Sequence, residues 1–263
     1  MKKLALAISV LLASGSVYAT NTSTNTALNG SDGNVVSVFQ FSPAAGHVSS
    51  VFHDNNSDDN NTTVSQIGLT HDSEVIYDNG SNNNWTIVNQ QGDSNESDVV
   101  VDNDSDQNGA VVTQTGGLNS SDIQMNLNAD GNFASHTQIG DLNTAITTVV
   151  AGDDNILNTT QIGTTNTSIV LAAGAPFDNP DNNLVNVLQQ GDTNLSVVSL
   201  LGEADDNTVL VNQLGDLSLA VVSIIGAGGE ADDNFVSITQ TNLDVAVDTI
   251  VNSSDNSFTT VQF

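Results

Sequence analysis

The chain has 263 residues with only two basic side chains against 31 Asp and Glu, a formal net charge of −29, and no cysteine. Nothing beyond Lys2 and Lys3 is available to neutralise phosphates or anionic headgroups, which excludes nucleic-acid binding and attraction to anionic lipid. Without disulfides the fold rests on packing and hydrogen bonding, and a composition led by Asn, Asp, Ser, Thr, Val and Gly argues against helices.

In chain order, residues 1–19 read as a secretory signal peptide: Lys2 and Lys3, an apolar run from Leu4 to Leu12, then Val17-Tyr18-Ala19 with cleavage expected after Ala19. That run is too short to span hydrocarbon, and no later segment is long enough, so a secreted chain without membrane insertion is expected. Residues 20–33 are polar and are predicted to be a flexible N-terminal segment.

From Asn34 onward an asparagine is followed six positions later by a glutamine ten times, every 22 to 28 residues. The pairs are Asn34/Gln40, Asn60/Gln66, Asn84/Gln90, Asn108/Gln114, Asn132/Gln138, Asn155/Gln161, Asn183/Gln189, Asn207/Gln213, Asn234/Gln240 and Asn256/Gln262. Such a period marks one supersecondary unit stacked on copies of itself, since no unit of that size buries its own apolar face. Between the two amides, alternate positions are apolar or small, as in Val36 and Val38, Val185 and Val187, or Val236 and Ile238. This is the period of a half-buried strand whose inner face reads Asn, apolar, apolar, Gln.

Two residues past the glutamine stands a glycine in seven repeats: Gly68, Gly92, Gly116, Gly140, Gly163, Gly191 and Gly215. Glycine there suits the positive φ of a tight strand-to-strand turn. A second asparagine often follows, at Asn95, Asn119, Asn143, Asn166 and Asn194, and opens a second alternating run such as Ser196, Val198, Leu200. The fold class predicted for residues 34–263 is all-β: a strand-turn-strand β-solenoid of about ten rungs in two facing parallel sheets, with cross-β spacing of about 4.8 Å. An inward amide without partners costs about 1–3 kcal/mol, but identical amides one rung apart can bond to one another in a ladder, which also fixes register.

These residues resemble the curlin repeat of curli, the functional amyloid fibres of bacterial biofilms. The likeness is carried by Asn155 through Gln161, Gly163 and Asn166, by Asn132 through Gln138, Gly140 and Asn143, and by the final Asn256 to Phe263, and it covers about residues 34–263. The chain departs from the pattern where Val101, Met125, Val149, Ala172, Leu200 and Ile224 replace a second glutamine. It departs again at Asn242, which stands in a glycine's place, and at Pro43 in the first turn. The resemblance implies a major-subunit-like structural protein of an extracellular, cell-surface fibre (a fimbrium) that polymerises with itself for adhesion and biofilm matrix. It also implies a nucleator subunit and an outer-membrane export pore as partners, with residues 20–33 as a possible export-recognition segment. The alternatives are a nucleator of the same fibre, or a monomeric secreted β-solenoid adhesin binding calcium or polysaccharide.

Enzymatic chemistry and cofactors are not expected. His47, His53, His71 and His136 are the only imidazoles; no register between them is read from the sequence, and His136 is expected as a packed inward residue. An Asp lies one or two positions before the anchoring asparagine in nine of ten repeats, forming a ridge that turn chemistry explains better than specific calcium binding.

Overall fold

The structure, a computed structural model, describes residues 8–10, 20–174, 179–227 and 229–263. Except for Ile8–Val10, the expected signal peptide lies outside the described residues. Among the described residues there is no helix; 21 strands, numbered β1 to β21 along the chain, fall into two parallel sheets. Odd-numbered strands form one sheet, from β1 (Ile8–Val10) and β3 (Val35–Phe41) to β21 (Ser257–Val261). Even-numbered strands form the other, from β2 (Thr22–Ala27) and β4 (Val48–His53) to β20 (Val245–Val251). Each turn of chain lays one strand in each sheet, and about ten turns stack into a β-solenoid.

Parallel sheets normally need cover on both faces. Here each sheet packs one face on the other, and burial alternates along the interior strands, as in the Leu184–Gln190 strand. The outward residues mix polar side chains with apolar ones such as Leu195, Val197 and Leu201, partly shielded by the same positions one rung above and below. Inward columns are dry: Val88, Val112, Val185, Val209 and Val236 are each 0 % exposed. The six positions where the sequence lacks a second glutamine form an apolar seam, with Val101, Met125, Val149, Ala172, Leu200 and Ile224 at 0–1 % exposure. Burying a side chain of this size contributes about 1.5–3 kcal/mol, so the seam substitutes dispersion and apolar burial for amide bonding.

Register survives the uneven repeat length because extra residues are taken up between strands. Gln138, Gln161 and Gln189 pair in one line although the last repeat is four residues longer than most, its surplus lying between Ala173 and Leu184. The expectation for residues 20–33 needs correcting: Thr22–Ala27 are not structureless but form β2, paired in parallel with β4 from Thr22↔Val48 to Ala27↔His53. Strand β2 is entirely polar up to Ala27, so no apolar period announces it; pairing with β4 makes it a strand.

Candidate functional site

The ten glutamines form one continuous column. From Gln40 to Gln262 each Nε2 donates to the next rung's Oε1, at 2.8 to 3.1 Å. The second Nε2 hydrogen donates to a backbone carbonyl of the facing sheet: Gln114 to Glu96 O at 2.8 Å, Gln138 to Ser120 O at 2.8 Å, Gln161 to Thr144 O at 2.9 Å. An interior glutamine thus uses both donors and its acceptor while almost wholly buried, which removes the usual cost of an inward amide. The chain of bonds is polar, running from donor to acceptor in one sense along the rod.

Within this column Gln90 makes one bond more than the other glutamines, while Gln240 keeps the common pattern. Gln90 Nε2 has three acceptors rather than two: Gln114 Oε1 at 2.9 Å, Asp72 O at 2.8 Å and Asn95 O at 3.1 Å. With two hydrogens for three acceptors, one hydrogen is shared, so Gln90 ties its own bend at Asn95 as well as the neighbouring rung. Gln240 accepts from Gln213 at 3.1 Å and donates to Leu219 O and to Gln262 Oε1, both at 3.0 Å. Beside it the backbone bonding continues, with Gln262 N–H donating to Thr239 O at 2.9 Å, and Gln262 itself is part-buried.

The asparagine columns combine the expected side-chain ladder with bonds to backbone at every rung. Asn60 N–H donates to Asn34 Oδ1 and Asn84 N–H to Asn60 Oδ1, both at 2.8 Å, and the pattern continues to Asn256 N–H on Asn234 Oδ1 at 3.0 Å. The side-chain Nδ2 reaches the following rung's turn, as Asn84 to Ser105 O at 2.9 Å and Asn155 to Pro180 O at 2.7 Å. Direct amide-to-amide bonds join five of the nine steps from Asn34 to Asn256, for example Asn155 Nδ2 to Asn132 Oδ1 at 3.0 Å, and all four from Asn95 to Asn194. Asparagine therefore clamps the backbone where a strand begins; its side chain is too short to reach across the core as glutamine does.

A second asparagine column, Asn95 to Asn194, clamps the opposite bend in the same way, with Asn119 N–H on Asn95 Oδ1 at 3.0 Å. Two histidines continue it, correcting the expectation that no histidine recurs in register. Asn95 N–H donates to His71 Nδ1 at 3.2 Å and His71 N–H to His47 Nδ1 at 3.1 Å, with the rings stacked 4.9 Å apart. Each Nε2 lies beside a carbonyl, Ile67 O at 3.1 Å and Phe41 O at 3.0 Å, so Nε2 carries the proton and Nδ1 accepts. Burial lowers both pKa values. The signal in the sequence was His71 standing five residues after Gln66, where other repeats place asparagine; the longer Pro43 turn hides the same role for His47.

The glycines stand at strand ends with φ between +116° and +156°, and the backbone one rung away is the reason. A Cβ on Gly68 would lie 1.9 Å from Gly92 O, and one on Gly116 2.0 Å from Gly140 O. The bend itself is made two residues later by side-chain-bearing residues in the left-handed region, among them Ser94, Leu118, Leu142 and Thr165.

The acidic ridge is a hydrogen-bonded ladder of its own. Asp106 N–H donates to Asp130 Oδ1 at 2.7 Å, Asp130 N–H to Asp153 Oδ1 at 2.9 Å, and Asp153 N–H to Asp181 Oδ1 at 2.8 Å. Residues immediately before the anchoring asparagine, such as Asp59, Asp154, Asp206 and Asp233, take the left-handed conformation that Asp tolerates. Burial, with repulsion from neighbouring carboxylates, raises the pKa of Asp106, Asp153, Asp181 and Asp205, against the lowering effect of the backbone N–H each accepts. Among the described residues no group of three or more His, Cys, Asp or Glu is placed to hold a metal ion. A feature not read from the sequence is a carboxylate cluster on the outer face of the even sheet, where Glu74, Asp98 and Asp122 pair in one line. Burial, then Asp122 and its other neighbours, push Asp98 up to about 6.

Carboxylates and histidines oppose each other in acid. Asp98, raised above 3.8, destabilises the rod at neutral pH, and this penalty shrinks as pH falls below about 6 and is gone below 3.8. His136 is fully buried between Ser121 Oγ at 2.7 Å and Thr147 Oγ1 at 2.8 Å, and burial lowers it to about 3. It stays neutral in the rod while the unfolded chain takes up a proton below 6.5, so stability is lost from pH 6.5 down to about 3. His136→Val matches Val112 in the neighbouring rung and isolates this effect. The difference in urea stability between variant and wild type is expected to move in the variant's favour by about 1.4 kcal/mol per pH unit over that window; a difference independent of pH would refute the assignment.

A family model described as the curlin associated repeat matches residues 181–215. No curated protein and no solved structure matches the chain. The matched stretch holds Asn183, Gln189, Gly191, Asn194, Asn207, Gln213 and Gly215, each a member of the columns described above. The chain therefore carries a curlin associated repeat, in a β-solenoid consistent with a curlin repeat family.

Proposed function

We propose that this chain is a structural subunit of an extracellular curli-like amyloid fibre that polymerises with itself for adhesion and biofilm matrix, rather than an enzyme. The observation that carries this reading is the polarity of the glutamine column. In the chain lacking residues 1–19 the edge of β3 that β1 covers here is free and Gln40 presents an Oε1 acceptor there, while at the opposite end of the described column Gln262 carries an Nε2 donor, so one copy's end is complementary to the other end of a second copy. Such a heterologous contact does not close, and repeats into a filament. A nucleating subunit and an outer-membrane export pore as partners, and secretion to the cell surface, belong to the same proposal.

The acidic ridge sets a condition. Like charges one rung apart repel by about 0.9 kcal/mol even at the dielectric of water, and salt near 0.15 M weakens this without abolishing it. Purified chain lacking residues 1–19 is expected to form unbranched fibres with cross-β diffraction, after a lag that shortens with added sodium chloride. Persistent monomer at high concentration in salt would overturn the proposal. A rod that stays monomeric and is stabilised by calcium would favour the adhesin alternative.

A further inference from the structure

The two ends of the even sheet carry polar residues in a column that is otherwise dry. In register, the column begins at Asn25 in β2, passes through eight inner residues from Val51 to Val222, and ends at Asp248 in β20. Seven of those eight are apolar, the eighth is Thr147, and all are 0–1 % exposed. At one end the Oδ1 of Asn25 is shielded from solvent and has no hydrogen-bond partner. At the other, Asp248 accepts from Thr260 Oγ1 through Oδ2 alone, at 3.4 Å.

We propose that Asp248 and Asn25 key a head-to-tail joint between two copies, in which β2 of the second copy adds in parallel to β20 of the first. The inference rests on the fibre reading above and specifies its contact. Among the described residues β20 pairs only with β18 (Leu219–Gly226) and β2 only with β4, so each has a free edge, and the two edges face opposite ways along the rod. Strand β21 extends one half-turn beyond β20 in the odd sheet, while β2 stands one half-turn before β3 in the even sheet. One copy's half-turn fills the other's, and together they make a complete rung. On the odd sheet, β21 then takes the place beside β3 that β1 occupies here.

In this joint the register of the rod continues without a break, and Asn25 of the second copy lies one strand, about 4.8 Å, from Asp248. Turned about its last side-chain bond, the Asn25 amide presents Nδ2, the donor, to the carboxylate, a charge-assisted bond in a dry column. Any other contact at this end, such as two C-terminal ends meeting or a register slip, buries the carboxylate against an apolar residue or a second carboxylate. An inward charge on an edge strand is a known means of blunting it, and here the matching donor sits on one end only.

Elongation of fibres from monomer tests this directly, using chain lacking residues 1–19. Asn25→Asp places two carboxylates at every joint and is expected to slow elongation by about tenfold or more, which corresponds to about 1.4 kcal/mol. Exchanging the pair, Asn25→Asp with Asp248→Asn, restores an amide opposite a carboxylate and is expected to return the rate to within about threefold of wild type on its own seeds. Asn25→Asp elongating at the wild-type rate, or an exchanged pair no faster than Asn25→Asp alone, would overturn the joint while leaving the fibre reading intact. Absence of fibres from wild-type chain would overturn both.

Discussion

Gln138→Glu is expected to be among the most damaging single substitutions in the rod, costing about 3–5 kcal/mol. Gln138 donates to Ser120 O and to Gln161 Oε1 and accepts from Gln114 Nε2. A carboxylate of nearly the same shape keeps the bond from Gln114 but turns two donor contacts into repulsion between acceptors, at a site with 0 % exposure. Thr160→Glu, on the outward face next to Gln161, is expected to change stability by less than about 1 kcal/mol. Urea unfolding of monomer and elongation from seeds both measure the contrast. The buried Glu is penalised when ionised, so its folded pKa is raised and the defect should shrink as pH falls and the protonated acid regains a donor. Equal effects of the two substitutions would mean that the glutamine column contributes nothing particular to stability.

Gly116→Ala is expected to cost more than about 3 kcal/mol, against less than about 1 kcal/mol for Gly117→Ala beside it. The first Cβ would stand 2.0 Å from Gly140 O at φ +119°, and the obstacle is backbone held in the next rung. The second would meet nothing closer than Asp141 Oδ1 at 3.3 Å, a side-chain atom that can move. Because each rung rests on the next, the cost at Gly116 can be relieved only by separating two rungs. Unfolding of the two alanine variants in parallel separates stacking from loss of glycine flexibility, which both share.

These contrasts mark how far the sequence could be read. The spacing of Asn and Gln and the alternation between them depend only on the two-residue period of a strand, so the ten rungs, the two sheets and the inward amides could be inferred from local pattern. The partners of those amides could not. Nothing in the spacing shows that glutamine reaches a carbonyl of the facing sheet while asparagine Oδ1 accepts the next rung's own backbone N–H, because that depends on side-chain reach. For the same reason Gln90 looks like any other glutamine in the repeat, although it gains a third acceptor. The roles of His47 and His71 were hidden because a histidine can stand in for asparagine through Nδ1, an equivalence of hydrogen bonding rather than of residue type.

The period, the inward face of each strand, the acidic ridge and the lack of any Lys or Arg beyond Lys3 are all legible in the chain, since they follow from residue type and short-range spacing. That polar Thr22–Ala27 is a strand, that the glycines are required by the neighbouring backbone, and that Asn25 and Asp248 end the same column emerge from the stacked fold alone. Each of these depends on which residues stand one rung apart, 23 to 28 positions away in the chain for most pairs. That distance is set by stacking and by turns of uneven length, which no local pattern encodes.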